Sequence, residues 1–340
     1  MTSRVEDQGP VPADQRQAYR GALTAFARKN GLQIAIVGVF FALWLFFIWR
    51  APDTFLSPQI YAALMSTVPF WGVVALPLTL VIITGEMDLS FPSVMAIGMT
   101  TFTTVFVATD SLLLSLIACL AVGFLVGLLN GVIVVKLGIP SLVATIGTMF
   151  FWRGAVLVIT GGSSQTFFMT RGTAFREALV GRIGGYLPAQ MVWMVLIAIA
   201  TWVLLNRHKF GAHVYLTGDN ENSARLMGVN VDRTRMLVFA LVGLAAAFGG
   251  VLSSMEVFTF FPTLGEGYLM QTLAAVFLGG TSVFGGTGTI LGTLVGCFII
   301  GTLQPGIVAI GWTGMATQLV YGFIIVVSVA IHAFLRRRME

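Results

Sequence analysis

The chain has 340 residues, of which 57% are hydrophobic and 10% charged, and its mean hydropathy is +0.91. Soluble globular domains carry about a quarter charged residues, so this composition excludes one and places the chain in a lipid bilayer. The formal net charge of +5 does not point to nucleic acid, because the basic residues stand at the ends of apolar runs instead of forming a patch.

A hydrocarbon core ~30 Å thick takes roughly 20 apolar residues per helical crossing, which leaves room for about ten crossings. Residues 1–30 are polar and carry Arg16, Arg20, Arg28 and Lys29 immediately before the apolar run Leu32 to Trp49. That run is too long for a signal-peptide core, and Trp49-Arg50-Ala51-Pro52 offers no small-residue cleavage pattern. A cytoplasmic tail over 1–30 followed by an uncleaved first span is the expectation. Further runs lie near 64–84, 89–108, 112–135, 139–160, 189–206, 235–256, 269–284, 288–310 and 313–335. The predicted fold is therefore an all-α integral membrane domain over 31–335 with about ten transmembrane helices, followed by a short tail at 336–340.

Alternating these spans from a cytoplasmic start places both termini in the cytoplasm. Arg4, Arg16, Arg20, Arg28, Lys29, Lys136, Arg207, Lys209, Arg225, Arg233, Arg235 and Arg336 to Arg338 then face inward, whereas Arg50, Arg171, Arg176 and Arg182 fall in outer loops and Arg153 inside a span. This bias obeys the positive-inside rule.

Two polar segments are long enough to hold structure of their own, an outer loop at 161–188 and a cytoplasmic loop at 207–233. In the second, Asn220 can cap a short helix and Gly228 can stop it, which makes a docking surface. Gly85-Glu86-Met87-Asp88-Leu89-Ser90 resembles Gly265-Glu266-Gly267-Tyr268-Leu269-Met270, and Gly127-Leu128-Leu129-Asn130 resembles Gly301-Thr302-Leu303-Gln304. An inverted repeat of spans 2–5 and 7–10 would produce this pattern, and so would chance likeness between glycine-rich apolar helices.

No Gly-Lys dipeptide occurs, hence no phosphate-cradling loop, and there is no H-E-x-x-H or C-x-x-C pair. The chain is expected to be no enzyme, to hold no metal and no cofactor, and to draw any ATP energy from another chain. Cys119 and Cys297 lie in apolar stretches and read as small hydrophobes. Glu86 and Asp88 are the acidic residues closest to apolar sequence. Carboxylates there mark solute or proton pathways, or else Asp88 or Ser90 caps the helix that follows. Asn130, Arg153, Glu256, Gln271 and Gln304 fall within predicted spans, where interhelical hydrogen bonds and solute contacts are equally consistent with their chemistry.

Three stretches resemble the sugar-type permeases of ATP-binding-cassette importers, the ribose, xylose and galactose branch of the branched-chain amino acid permease superfamily. They are Gly85 to Ser93, Gly218 to Val231, and Ala274 to Ser282 with Gly285-Gly286. Glu86 and Phe91-Pro92 depart from the family pattern by making the first turn stiffer and more acidic. The resemblance implies a translocation subunit of the bacterial inner membrane that imports a monosaccharide or related small polar solute. It also implies two cytoplasmic ATP-binding subunits, a second permease copy or paralogue and a periplasmic substrate-binding protein as partners. Gly218, Asn220, Ala224, Arg225 and Gly228 would then form the coupling element. Glu86, Asp88, Ser90, Asn130, Gln271 and Gln304 are the candidates for helix turns or the translocation path. The rival expectation is a proton- or ion-coupled secondary transporter that uses Glu86 or Asp88.

Overall fold

The computed structural model describes residues 13–337; the outermost parts of both expected tails, 1–12 and 338–340, lie outside the described residues. In chain order the elements are α1 (Ala13–Arg50), α2 (Pro52–Phe55), α3 (Pro58–Thr67), α4 (Pro69–Ile83), α5 (Phe91–Thr109), α6 (Leu112–Leu137) and α7 (Ser141–Thr160). A polar excursion follows with β1 (Gln165–Thr166), α8 (Ala174–Val180), β2 (Arg182–Ile183) and β3 (Leu187–Pro188). The chain continues through α9 (Ala189–Asn206), α10 (Lys209–Asp219), α11 (Glu221–Leu226), α12 (Val231–Glu256), β4 (Thr259–Phe260), α13 (Tyr268–Leu278), α14 (Ile290–Ala309) and α15 (Ala316–Arg337).

Local chemistry explains most of these limits. Proline opens α2, α3 and α4, where its missing N–H has no partner to lose. Gly138 and Gly161 follow α6 and α7 in the left-handed region at φ 66° and 59°, which ends each helix. The expected single span 64–84 is split: α3 and α4 meet at Val68 with a bend of 52°. Pro69 is the cause, because it cannot donate the helical bond that would carry α3 straight on.

Among the described residues seven helices are long and apolar enough to cross a membrane, or eight if the bent α3–α4 pair is one span. The expected crossings near 269–284 and 313–335 fall short on this measure. The first contains only the 11 residues of α13 before Gly279 ends it, and the second has a shorter apolar stretch at Ala316–Ala330. Residues 13–30, expected as tail, continue the first span as one helix of 38 residues.

Helix α4 is buried along its entire length and, with α5, α12 and α14, forms the centre; α1, α6, α7 and α9 expose apolar flanks, as helices facing lipid must. The most extensive helix contact is between α6 and α12. Gly123, Gly127 and Gly131 recur every fourth residue on α6 and meet Met236, Phe239, Gly243 and Ala247 of α12. A Cβ on Gly123 would stand 2.6 Å from the Gly243 carbonyl oxygen, and one on Gly131 would stand 2.7 Å from the Met236 Cα. Gly127 faces the Phe239 carbonyl more closely still. The two backbones therefore touch, which is how small residues drive association where lipid removes the hydrophobic incentive.

Two ends are distinct. At one, Lys136 pairs with Asp232 at 3.0 Å, the Met87 amide donates to Ser141 Oγ at 3.0 Å, and the Tyr215 hydroxyl donates to the Gly288 carbonyl at 2.8 Å. At the other, β1 pairs antiparallel with β4. There Arg182 donates to Ser66 Oγ at 2.7 Å and pairs with Glu256 at 3.4 Å. Glu256, expected inside a span, is the last residue of α12.

Overpacking a seam of this kind costs roughly 1–3 kcal/mol per added carbon group. Gly127→Ala should lower the thermal unfolding midpoint in detergent and Gly127→Leu should abolish folding. Gly147→Ala, whose added Cβ meets nothing within 4 Å, should leave the midpoint unchanged.

Candidate coupling surface and solute cleft

The cytoplasmic-type loop of the sequence is a helical hairpin. Asn220 closes α10 and its Oδ1 accepts the Ser223 N–H at 2.9 Å, so it caps α11. Ala224 is fully buried against Leu216, Val229 and Val231. Gly228 turns the chain at φ +81°, and Asn230 Oδ1 caps α12 through the Arg233 N–H at 2.9 Å.

A chain of ion pairs fixes the hairpin's angle. Arg225 reaches Glu221 at 3.0 Å and Asp232 at 2.6 Å, and Asp232 reaches Lys136 at 3.0 Å. Arg235 bridges Glu221 at 2.9 Å and Glu86 at 3.0 Å. The Arg235 Nε–H is not aligned for a hydrogen bond, so its contact with Glu86 is coulombic. Hydrogen bonds from Arg225 and then Lys136 hold the Asp232 carboxyl below its ordinary pKa. Glu221 is also held low; its partial burial works the other way, and Arg225 and Arg235 outweigh it. Single exposed pairs are worth at most about 1 kcal/mol, but this set links α6, α11, α12 and the turn after α4.

With Arg225 engaged internally, the outward face of α11 belongs to Leu226, 90% exposed, and Met227, 60% exposed. Neither was singled out in the sequence, although two large apolar residues ahead of a turning glycine in a polar loop are a legible sign of a docking face. Gly218 is the hairpin's seat. A Cβ there would stand 2.7 Å from the Gly286 nitrogen and would collide with the Ile83 carbonyl. The Gly286 N–H in turn donates to that same carbonyl at 2.9 Å. The hairpin, the end of α4 and the Gly285-Gly286 turn thus meet backbone to backbone.

The turn candidates separate. Glu86 is in the ion-pair chain. Asp88 is fully buried, and its Oδ1 accepts the Ser90 N–H at 2.8 Å and the Ser90 hydroxyl at 2.6 Å; Ser90 Oγ accepts from Asn130 Nδ2 at 2.7 Å. Ser90 occupies the N-cap position of α5 without bonding to its amides. The cap takes the form of an Asx turn, which Asn130 of α6 completes.

Gln271 and Gln304 lie together elsewhere, in two adjoining hollows of about 490 and 410 Å³ that share Gln271, Gln304 and Tyr321. The break at Val68 opens the first hollow, which Thr67, Phe70, Trp71, Tyr268 and Pro305 also line. Glu266, Thr317 and Gln318 add to the second. The Tyr321 hydroxyl donates to the Ile300 carbonyl at 3.3 Å. None of Glu86, Asp88, Ser90 and Asn130 lines either hollow. Trp71, Tyr321 and Gln318 were missed because they stand on α4 and α15, far apart in the chain, and no local pattern brings those helices to one hollow. Among the described residues no three His, Cys, Asp or Glu side chains converge.

A polytopic helical bundle with a polar hairpin at one end and a largely apolar cleft holding Gln271 and Gln304 is the architecture of a membrane translocation subunit. The profile of the branched-chain amino acid transport system / permease component matches residues 60–329, and the chain belongs to that family. It is similar to the ribose import permease protein RbsC of Bacillus subtilis, 34% identical over 281 residues that cover 82% of this chain and 86% of that one. The RbsC of Escherichia coli K12 is 33% identical over 76% of this chain and 81% of its own length. The autoinducer 2 import system permease protein LsrD of Yersinia enterocolitica is 33% identical over 78% and 82%. No solved structure matches. The protein is a multi-pass inner-membrane permease subunit of an ATP-binding-cassette importer, and a non-enzymatic one. The ion-coupled alternative loses its ground: Glu86 is paired with Arg235, Asp88 is sealed in a turn, and the relatives are importer permeases.

Asn220→Ala removes one cap worth about 1 kcal/mol. Amides 221–227 should exchange hydrogen severalfold faster while the global unfolding midpoint stays constant, as read by exchange mass spectrometry.

Proposed function

We propose that this chain forms the membrane path by which an importer moves a neutral monosaccharide or similar small polar solute into the cell. In this reading it works with two cytoplasmic ATP-binding subunits, a second permease copy or paralogue and a periplasmic binding protein. The observation that carries the reading is the position of α4. Its last residue, Ile83, holds Gly218 of the hairpin and Gly286, while its first turn, Pro69 to Trp71, borders the cleft. Fifteen buried residues make a rod of about 22 Å joining the docking surface to the cavity.

Leu226 and Met227 are the apolar contacts offered to the ATP-binding subunit, and Gly218, Asn220, Ala224, Arg225 and Gly228 seat, cap and brace the element that presents them. Nucleotide binding would move this hairpin, and with it α4 and the bend at Val68, between arrangements open to opposite sides. Only a difference in nucleotide and binding-protein affinity between those arrangements can drive the motion.

The cleft supports the substrate class. Gln271, Gln304, Gln318, Thr317 and Tyr321 give it amides and hydroxyls set among apolar side chains such as Leu64, Val68, Phe70, Trp71 and Val308, and Glu266 is the only charged residue among the described lining residues of the two hollows. Such a lining suits an uncharged polyhydroxylated solute. The relatives named for ribose and autoinducer 2 import agree with it.

Ten crossings with both termini in the cytoplasm and an inverted repeat complete the proposal. The packing supports the repeat: α5 packs on α6 and α7 as α13 packs on α14 and α15, and α4 packs on α12.

Mildly solubilised from its native membrane, the chain should co-purify an ATP-binding subunit, and Leu226→Ser with Met227→Ser should release it while the permease stays folded. Retained association would refute the docking face. Reconstituted alone in liposomes the chain should concentrate no solute under an imposed proton or sodium gradient. In the assembled transporter Asp88→Asn, which keeps the Oδ1 acceptor, should hold uptake within about twofold. Unaided accumulation, or complete loss of uptake on this substitution with normal assembly, would favour a charge-coupled mechanism.

A further inference from the structure

The function proposed above leaves Arg153 unassigned. It lies in the middle of α7 with its side chain 13% exposed, where a guanidinium is costly unless fully engaged. Its Nη1 donates to the Pro262 carbonyl, its Nη2 donates to the Pro92 carbonyl at 3.1 Å and the Leu264 carbonyl at 2.9 Å, and its Nε faces Glu266 at 3.5 Å. Pro92 is in the first turn of α5, and Pro262 to Glu266 form the approach to α13. The two helix entries also touch directly. Gly265, at φ +89°, has its α-carbon face against Pro92, and a Cβ there would stand 2.7 Å from the Pro92 carbonyl oxygen.

This set of acceptors calls for arginine specifically. Three carbonyls and a carboxylate from two chain segments need a planar fork of five donors, and a lysine ammonium has three donors at one point. What the fork holds is the cleft's edge. Glu266, the fourth partner, lines the hollow beside Gln271, Gln304 and Gln318, and Tyr268 and Gln271 follow within the first turns of α13.

We propose that Arg153 is a positioning residue of the translocation site: it locks the entry of α5 to the entry of α13 and thereby sets where Glu266 and Gln271 stand in the cleft. The assignment rests on the cleft being the solute path. A residue that only stabilised the fold would loosen the whole bundle when removed; a positioning residue loosens this junction alone.

The test uses the full chain in nanodiscs. Spin labels at exposed Val107 of α5 and Met270 of α13 report the junction, and labels at Leu129 of α6 and Arg233 of α12 serve as control. Arg153→Gln should broaden the Val107–Met270 distance distribution and leave the Leu129–Arg233 distribution as in the parent. Gln271→Cys in the Arg153→Gln background should react with a membrane-impermeant maleimide about tenfold faster than in the parent, the factor that loss of one charge-assisted hydrogen bond implies. Cys119 and Cys297 are buried and add little background. Arg153→Lys should fall between the two. Unchanged junction distances and labelling in Arg153→Gln, or equal broadening of both label pairs, would overturn the proposal. A separate arm examines the premise: Gln271→Ala and Gln304→Ala in the assembled transporter should each reduce uptake of the solute carried by its binding protein. Full uptake in both, with the junction still sensitive to Arg153, would refute the cleft as the path and leave the lock standing as structure.

Discussion

The glycine seam between α6 and α12 is the constraint on which the other features depend. Lipid is as apolar as the helix flanks, so burial alone gives two membrane helices little reason to associate, and close backbone approach must supply the contact. Gly123, Gly127 and Gly131 remove every side chain that would hold α12 away. The register they impose brings Lys136, near the end of α6, to Asp232 near the start of α12, and it leaves Asn130 within reach of Ser90. The Lys136–Asp232 pair follows from that alignment, and α5, which packs on both helices, brings Ser90 to Asn130.

Charge is also kept apart from the cleft. Glu86, Glu221, Asp232, Lys136, Arg225 and Arg235 gather at the end where the hairpin lies, and each has an opposite charge within 3.0 Å. The cleft, by contrast, is lined by apolar side chains around the amides of Gln271, Gln304 and Gln318 and the hydroxyls of Tyr268, Thr317 and Tyr321, with Glu266 the only charged residue among its described lining residues. A nearly neutral lining avoids desolvating charges at depth. Helix α4 joins these regions because it ends at two breaks of different origin: Pro69 denies α3 its continuation, and Gly85, at φ +82°, turns the chain after Ile83.

Membership of the importer permease family and the presence of a capped polar hairpin were legible in the residues, because both rest on local patterns. Asn220 capping α11 is an instance, since the Asx side chain and the amide it accepts are three positions apart. The role of Glu86 was not legible. Its partner Arg235 lies across the hairpin, and a carboxylate beside an apolar run reads the same whether it lines a path or meets a distant arginine. Gln271 and Gln304 were visible as polar residues in spans, but their convergence with Tyr321 and Trp71 required the bend at Val68. Arg153 was visible as a charge in a span, with nothing local to indicate that its acceptors are carbonyls of two remote segments.

By itself, then, the amino-acid sequence determined the solvent, the helical class, the order of the principal spans, the polar hairpin and the kinship. Each of these depends on composition, on periodicity, or on residues within a few positions of one another. Only the tertiary structure decided which polar groups face a cavity, which are consumed in ion pairs, and that α4 runs between the two regions. Those outcomes depend on how closely helices can approach. Apolar, glycine-rich segments permit many approaches, and the choice among them is made when Cβ-free backbones and far-apart hydrogen-bonding groups are satisfied together.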